Sequence, residues 1–350
     1  MSARYSFDAL HAAIGDMFRS AGMESEKSDR VTESLLAADM MGHATHGLAL
    51  APWYFDSIAA GGVTLRGDHE VVAERAGCMT WNGRRLPGAW LIARAIDAAL
   101  ERIAGQGVVT VSIYDSHHTG ALAVYLPRLT ERGLMAILSC SAPTAATVAP
   151  FGGTRGLLSP NPLAAGIPTE GDPILLDISA SITTNNNARQ LVRSGERFPA
   201  AWALDAQGRP SDDPAVAVSG GGTLLPVGGL DHGHKGYSLG LLIDALTQAI
   251  PGYGRSDHPS GVVMGVFLQV IDPAAFGGTQ AFVRQTTWLA DACRANPPRP
   301  DVQRVRVPGE NAMKLHRAAM RDGVALSEPV VEALRPYAAR FAVELPAASS

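Results

Sequence analysis

Apolar residues recur at helical spacing through the first sixty positions. Phe7, Leu10, Ile14 and Phe18 fall three or four apart, and Val31, Leu35, Leu36 and Met40 repeat the stripe. Two glycines in GHATHG (42–47) interrupt it. A third helical stretch runs through Leu50, Tyr54 and Ile58 to Gly61-Gly62. The middle of the chain changes character. Short runs with β-branched residues at 108–113, 134–139 and 174–178 predict strands, and helical stretches at 88–104 and 120–132 flank the first two. Such alternation predicts an α/β domain whose sheet is covered on both faces. VVMGVFLQVI (262–271) reads as a further strand and 235–250 as an apolar helix. Segments 278–295 and 309–342 read as mostly helical, 206–234 as glycine-rich loop, and PPRP (297–300) as a linker.

Composition narrows the class. The chain has 350 residues, 46% of them hydrophobic and 18% charged, which is too apolar for intrinsic disorder. A net charge of −4 gives no general electrostatic reason to bind nucleic acid. No apolar run reaches the roughly eighteen residues that a membrane span needs. Asp8 and Asp16 interrupt the N-terminal apolar pattern, unlike a signal peptide. Cys78, Cys140 and Cys293 are too widely spaced for a CxxC metal site, and their odd number makes no disulfide framework. The expectation is a cytoplasmic protein. Of 29 basic residues only Lys27, Lys235 and Lys314 are lysine.

The chemistry is not that of a standard nucleotide fold. Gly105-Gln106-Gly107 precedes a strand and has Thr110 at the third glycine position, and Gly252-Tyr253-Gly254 has Asp257 there. Neither fits the Rossmann fingerprint, and the P-loop pattern is absent. Histidines form three small groups, His43/His46, His117/His118 and His232/His234, with no HExxH and no carboxylate at a diagnostic spacing. No metal is therefore expected, and the groups suggest acid–base chemistry. His46 lies between two helical stretches beside the hydroxyl of Thr45. His118 follows a strand and precedes a helix, where α/β proteins collect ligands. The plainer alternative for each is a satisfied structural histidine. Lys235 opens a helix after a glycine-rich loop, where it either meets an anion or is simply solvated. Asp177 ends a strand, where it either binds ribose hydroxyls or caps the next helix.

Taken together, six segments in order resemble the type 2 malate/L-lactate dehydrogenase family. That family also contains ureidoglycolate and sulfolactate dehydrogenases and Δ1-piperideine-2-carboxylate reductases. The segments are AADMMGHATHGLAL (37–50), SHHTGALAVY (116–125), FGGTRGLLSPNPLAAGIP (151–168), the stretch 176–214 from LDISAS to GRPSDDP, GHKGYSLGLLIDAL (233–246) and VPGENA (307–312). The resemblance implies an α/β fold with a mixed sheet and a non-Rossmann NAD(P) domain. It implies three parts: a helical segment 1–75 with the Thr-His-Gly turn, a cofactor-binding domain 76–300, and a helical segment 301–350 packing back on the first. A homodimer is implied as well.

Residue by residue, the resemblance makes His46 the proton donor or acceptor and Thr45 its hydroxyl partner. His118 becomes a cofactor or catalytic residue. His118, Thr119, Gly120, Ala121 and Leu122 fall on the nucleotide site, as do Asp177, Ile178, Ser179, Lys235 and Gly236. Two departures concern the substrate. Leu50 stands where the family commonly has a carboxylate-binding arginine, and leucine cannot pair with a carboxylate. Arg189 or Arg193 then has to supply the charge, or the substrate differs. Asn187 stands where an acid completes a relay in the reductases, and an amide cannot stabilise an imidazolium by charge. The implied activity is hydride transfer between NAD or NADP and a small 2-hydroxy or 2-oxo acid. A cyclic 2-imino acid reductase and a non-catalytic nucleotide- or metabolite-binding relative are the alternatives.

Overall fold

A computed structural model describes residues 2–348. Among these residues twelve strands form three sheets. The main sheet has seven strands in the order β2-β3-β4-β11-β5-β6-β7. These are β2 (Glu70–Arg75), β3 (Cys78–Asn82), β4 (Val108–Ser116), β5 (Met135–Ser141), β6 (Pro162–Ile167), β7 (Ile174–Ser179) and β11 (Met264–Ile271). Only β3 and β4 pair in parallel, so the sheet is mixed. β1 (Ser2–Tyr5) pairs antiparallel with β12 (Val324–Ser327). The short strands β8 (Ala203–Leu204), β9 (Pro210–Ser211) and β10 (Thr223–Leu224) form the third sheet.

Strand alternation divides the main sheet into two unlike faces. Val109, Val111 and Ile113 of β4 face the same way as Ala136 and Leu138 of β5 and Val266, Leu268 and Val270 of β11, and all are buried. Leu91, Ile92, Ala95, Ile96 and Ile103 of the helix Gly88–Gln106 fill this face. The other face carries Ser112, Ser139 and Ser141, also buried. The helix His234–Asp244 and the π-helical turn Ala245–Ala249 lie there, with Thr247 Oγ1 2.6 Å from Ser141 Oγ.

A second core joins both chain ends. Leu10, Ile14, Met17 and Phe18 of α1 (Phe7–Ser20) and Leu35 and Leu36 of α2 (Ser25–Met40) meet Val324, Leu326, Leu334 and Ala338. α3 (Ala51–Ala59) adds Tyr54 and Phe55 to it.

Several expectations need correction. The predicted helix 120–132 is a 3-10 turn, Leu122–Tyr125, followed by one helical turn, Pro127–Thr130. Gly120 at φ 73° and Pro127, which has no N–H to donate, prevent a continuous helix. The stretch 309–342 is two helices, Glu310–Asp322 and Glu328–Arg340, separated by β12. The main sheet starts with β2, before residue 76. All six β2 residues are exposed, so the strand carries no apolar alternation to read. Among the described residues, no helix is long and apolar enough to cross a membrane.

Candidate active site

The site grows from the break between α2 and α3. GHATHG and the following Leu48-Ala49-Leu50 fold into two 3-10 turns, Ala44–His46 and Leu48–Leu50. Asp39, on the last turn of α2, holds them: its Oδ2 accepts the Leu48 N–H at 2.8 Å. A Cβ at Gly47 would lie 2.1 Å from Asp39 Oδ1, so only glycine lets the turn sit on that carboxyl. Burial pushes the Asp39 pKa up to about 7, against the Leu48 hydrogen bond that lowers it.

That turn presents His46 to His118, which follows β4. Their rings lie nearly parallel, at 7°, with centroids 6.0 Å apart. The two imidazoles are held differently. Nδ1 of His118 accepts from the Gly120 N–H at 3.2 Å and lies 2.8 Å from the Tyr54 hydroxyl. A backbone amide only donates, so Nδ1 is an acceptor and the ring proton sits on Nε2. Protonating Nδ1 would set it against that amide. Burial, with His46 and His117 adding to it, pulls the His118 pKa down to about 3. Nδ1 of His46 instead faces the Thr45 hydroxyl at 3.1 Å. A hydroxyl both donates and accepts, so this contact survives a change in the proton count of His46. Burial first, then His43, lowers the His46 pKa to about 4.

The remaining expected residues are placed as follows. Asp177 Oδ2, on β7, accepts the Ala123 N–H at 2.9 Å, and burial raises its pKa. The side chains of Thr119, Ala121 and Leu122 are buried, so a ligand along this segment meets backbone. Ile178 is exposed on the edge strand, and Ser179 Oγ donates to the Ser181 carbonyl at 2.7 Å. Gly236 packs on Ala180 and Val227, which brings the start of the Lys235 helix to the end of β7. Lys235 is exposed, with no hydrogen bond or ion pair among the described residues. Asn187 turns to Thr183, donating to its Oγ1 at 2.9 Å. Asn186 is the residue that reaches the histidine turn, through the Thr45 carbonyl at 3.4 Å. Arg189 donates to Asn186 Oδ1 at 3.0 Å, which ties one guanidinium to that turn. Leu50 is half-buried against the second core.

Several residues were not singled out in the sequence. Tyr54 reads there as one more apolar stripe position, yet its hydroxyl orients His118. Ser57 Oγ meets Nε2 of the buried His117 at 3.1 Å, and Trp53 stacks on the same ring. Asp39 and Asn186 carry no motif signal of their own. Adjacency on one helix, Trp53-Tyr54 beside a histidine turn, was the available clue.

The residues fit NAD or NADP. The buried Nε2 of His43 has no partner, and His43 stands close enough to Asp177 to lower its pKa. Lys235 offers a free cation near the end of the same strand. Two depressions, of about 630 and 400 Å³, lie elsewhere, lined by residues such as Arg304 and Val307 in one and Gln248 and Tyr253 in the other. Among the described residues no group of three or more His, Cys, Asp or Glu is arranged to hold a metal ion.

The histidines also set a pH dependence of stability. His46 and His117 have folded pKa values near 4, and His118 near 3, against an unfolded value of about 6.5. Below pH 6.5 the unfolded chain gains protons that the folded chain does not, so stability falls with falling pH. Asp39 and Asp177, raised by burial, oppose this. Replacing His117 with glutamine should make the slope shallower by about 1 kcal/mol per pH unit between pH 6 and 4.5. Urea titrations at several pH values check this, and an unchanged slope would contradict it.

Comparison with known proteins agrees with the geometry. A model of the malate/L-lactate dehydrogenase family matches residues 5–335. The L-lactate dehydrogenase of Cupriavidus necator is 30% identical over 360 aligned positions, covering 99% of this chain and 100% of that protein. The (2R)-3-sulfolactate dehydrogenase (NADP(+)) of Chromohalobacter salexigens is 31% identical, covering 91% of this chain and 92% of that one. The solved malate dehydrogenase of Pyrococcus horikoshii superposes with a TM-score of 0.88 at 26% identity, over 99% of this chain and 97% of the other. The family match over nearly the whole chain, the likeness to these dehydrogenases and the mixed sheet show that the chain belongs to the malate/L-lactate dehydrogenase family of NAD(P)-dependent dehydrogenases.

Proposed function

We propose that this enzyme interconverts a small 2-hydroxy acid and its 2-oxo acid, with His46 as the group that moves the proton. The observation that carries this is the contrast between the two imidazoles. Thr45 accommodates His46 in either protonation state, whereas the Gly120 amide holds His118 neutral. In oxidation, Nε2 of His46 takes the hydroxyl proton while the hydrogen on C2 leaves as hydride. In reduction it returns that proton to the carbonyl oxygen. NAD(P), when bound, takes up or supplies the hydride. His118, with its proton on Nε2, donates a fixed hydrogen bond into the site.

Arg189 is the carboxylate anchor in this reading, in place of an arginine at Leu50. Asn186 ties it to the histidine turn. Charged hydrogen bonds are worth about 1.5–3 kcal/mol, so Arg189→Ala should raise the substrate KM about 10–100-fold. Unchanged KM would remove Arg189 from the site. Asp177, His43 and the backbone at Gly120–Leu122 would hold the nicotinamide end of the cofactor, and Lys235 its phosphates. The reading includes a homodimer, supported by exposed Leu230, Leu241, Leu242 and Ile250 around the Lys235 helix. It includes a reducing, cytoplasmic setting, supported by the free thiols of Cys78 and Cys293 at the surface. The test is a panel of 2-oxo acids with NADH and NADPH. Oxidation of either cofactor by a 2-oxo acid is expected, and cofactor binding without oxidation across the panel would refute the activity.

A further inference from the structure

α3 sets an aromatic wall beside the histidine pair that proton transfer does not use. Trp53 is 38% exposed, although tryptophan is usually well buried. Its ring stacks on His117 with centroids 5.4 Å apart at 22°, and meets His118 edge-on at 5.4 Å and 79°. The next residue, Tyr54, is buried and bonded to His118, so the helix cannot turn its tryptophan away. The exposed part of Trp53 is therefore a fixed apolar face beside His118, the ring that stacks on His46.

Among the described residues, few charged groups are tied to that position. Asp39 lies beneath the turn and Asp177 beyond it. Arg189, an exposed cation, is linked to the histidine turn through Asn186. Arg85 stands near His117, but Asp115 at 3.6 Å and the Ser260 carbonyl at 3.0 Å engage its guanidinium. Leu50, three residues before Trp53, adds no charge. One carboxylate has a partner here. A second anionic group on the substrate would meet indole and neutral imidazoles and lose its water without compensation.

We propose that the enzyme prefers 2-hydroxy and 2-oxo acids with a single carboxylate and an apolar, best an aromatic, side chain, and that Trp53 is the contact that selects them. This rests on the dehydrogenase reading above. It separates this chain from relatives named for malate and sulfolactate, whose substrates carry two acidic groups.

The test compares kcat/KM of the full-length protein for phenylpyruvate, pyruvate, oxaloacetate and sulfopyruvate, with both cofactors. Phenylpyruvate should exceed oxaloacetate and sulfopyruvate by about 100-fold or more, since an unpaired buried polar group discriminates strongly. In Trp53→Ala the ratio of phenylpyruvate to pyruvate should fall about tenfold, and Trp53→Phe should recover most of it. A merely structural tryptophan would lower all four acids together. That result, or a preference for oxaloacetate or sulfopyruvate, would overturn the proposal. If the cofactor binds and no acid is reduced, the dehydrogenase reading falls with it.

Discussion

His46→Ala should lose about 10²–10⁴ in kcat while its affinity for NAD(P)H stays near that of the parent, because general acid–base catalysis is typically worth that much. The His46 ring touches the site from the last residue of a 3-10 turn, so removing it leaves α2, α3 and the β7 end in place. The Thr45 hydroxyl loses its partner but is only partly buried, and the structural cost is small. His118→Asn should behave differently. Its Oδ1 takes over the acceptor role of Nδ1 toward Tyr54 and Gly120, but the Nε2 donor is lost from the site, which should weaken cofactor binding as well as turnover. Stopped-flow hydride transfer and cofactor fluorescence titrations on both variants separate the two roles. Near-normal turnover in His46→Ala would sink its assignment. Lost turnover with normal cofactor affinity in the His118 variant would move the proton to His118.

Gly236→Ala should be among the most damaging single-methyl changes in the molecule. A Cβ there would stand 2.3 Å from the Val227 nitrogen, 2.6 Å from the Ala180 carbonyl and 2.7 Å from the Val227 carbonyl. All three are backbone atoms, and they hydrogen-bond one another: Val227 N–H donates to Ala180 at 2.8 Å and Gly236 N–H to Val227 at 3.1 Å. No side chain can rotate aside, so the helix start must lift off the end of β7. Overpacking of this kind costs about 1–3 kcal/mol and sometimes more. The lift also moves Lys235, so cofactor affinity should fall together with stability. Lys235→Ala is the control: affinity should fall while stability changes by less than about 0.5 kcal/mol, since the side chain is exposed. Urea midpoints and cofactor titrations of both variants provide the check. Unchanged stability in Gly236→Ala would contradict the packing.

The parts of the fold that were legible in the sequence are those that bury one face at a regular period. α1, α2 and β4 announce themselves because a packed core demands an apolar residue every third, fourth or second position. β2 is exposed along its whole length, and β6 (PLAAGI) has a single β-branched residue, Ile167 at its end, so neither left a pattern. β1 and β12 are four residues each and lie far apart in the chain, and their pairing exists only after both ends have folded.

The site divides in the same way. His46, His118 and Asp177 stood out because their residue types and neighbours matched a motif. Tyr54 and Asn186 did not, because each acts through a contact that spans the fold, 64 residues in one case and 141 in the other. Lysine scarcity drew attention to Lys235, yet gave no hint that Lys27 is buried, 2.5 Å from Glu24 and 4.2 Å above the Trp90 ring. Nor did the asparagine run show which member faces the turn. Helix periodicity from the Thr184 cap turns Asn187 to Thr183 and leaves Asn186 for Thr45.

The most direct test of the central claim follows the hydride itself. NADH or NADPH deuterated at C4 of the nicotinamide is turned over with the best 2-oxo acid, and the product is analysed by NMR and mass spectrometry. The account predicts one deuterium on C2 of a 2-hydroxy acid, from one face of the nicotinamide, and a hydroxyl proton that comes from solvent through His46. Deuterium released to water, or cofactor oxidation with no label on C2, would contradict it.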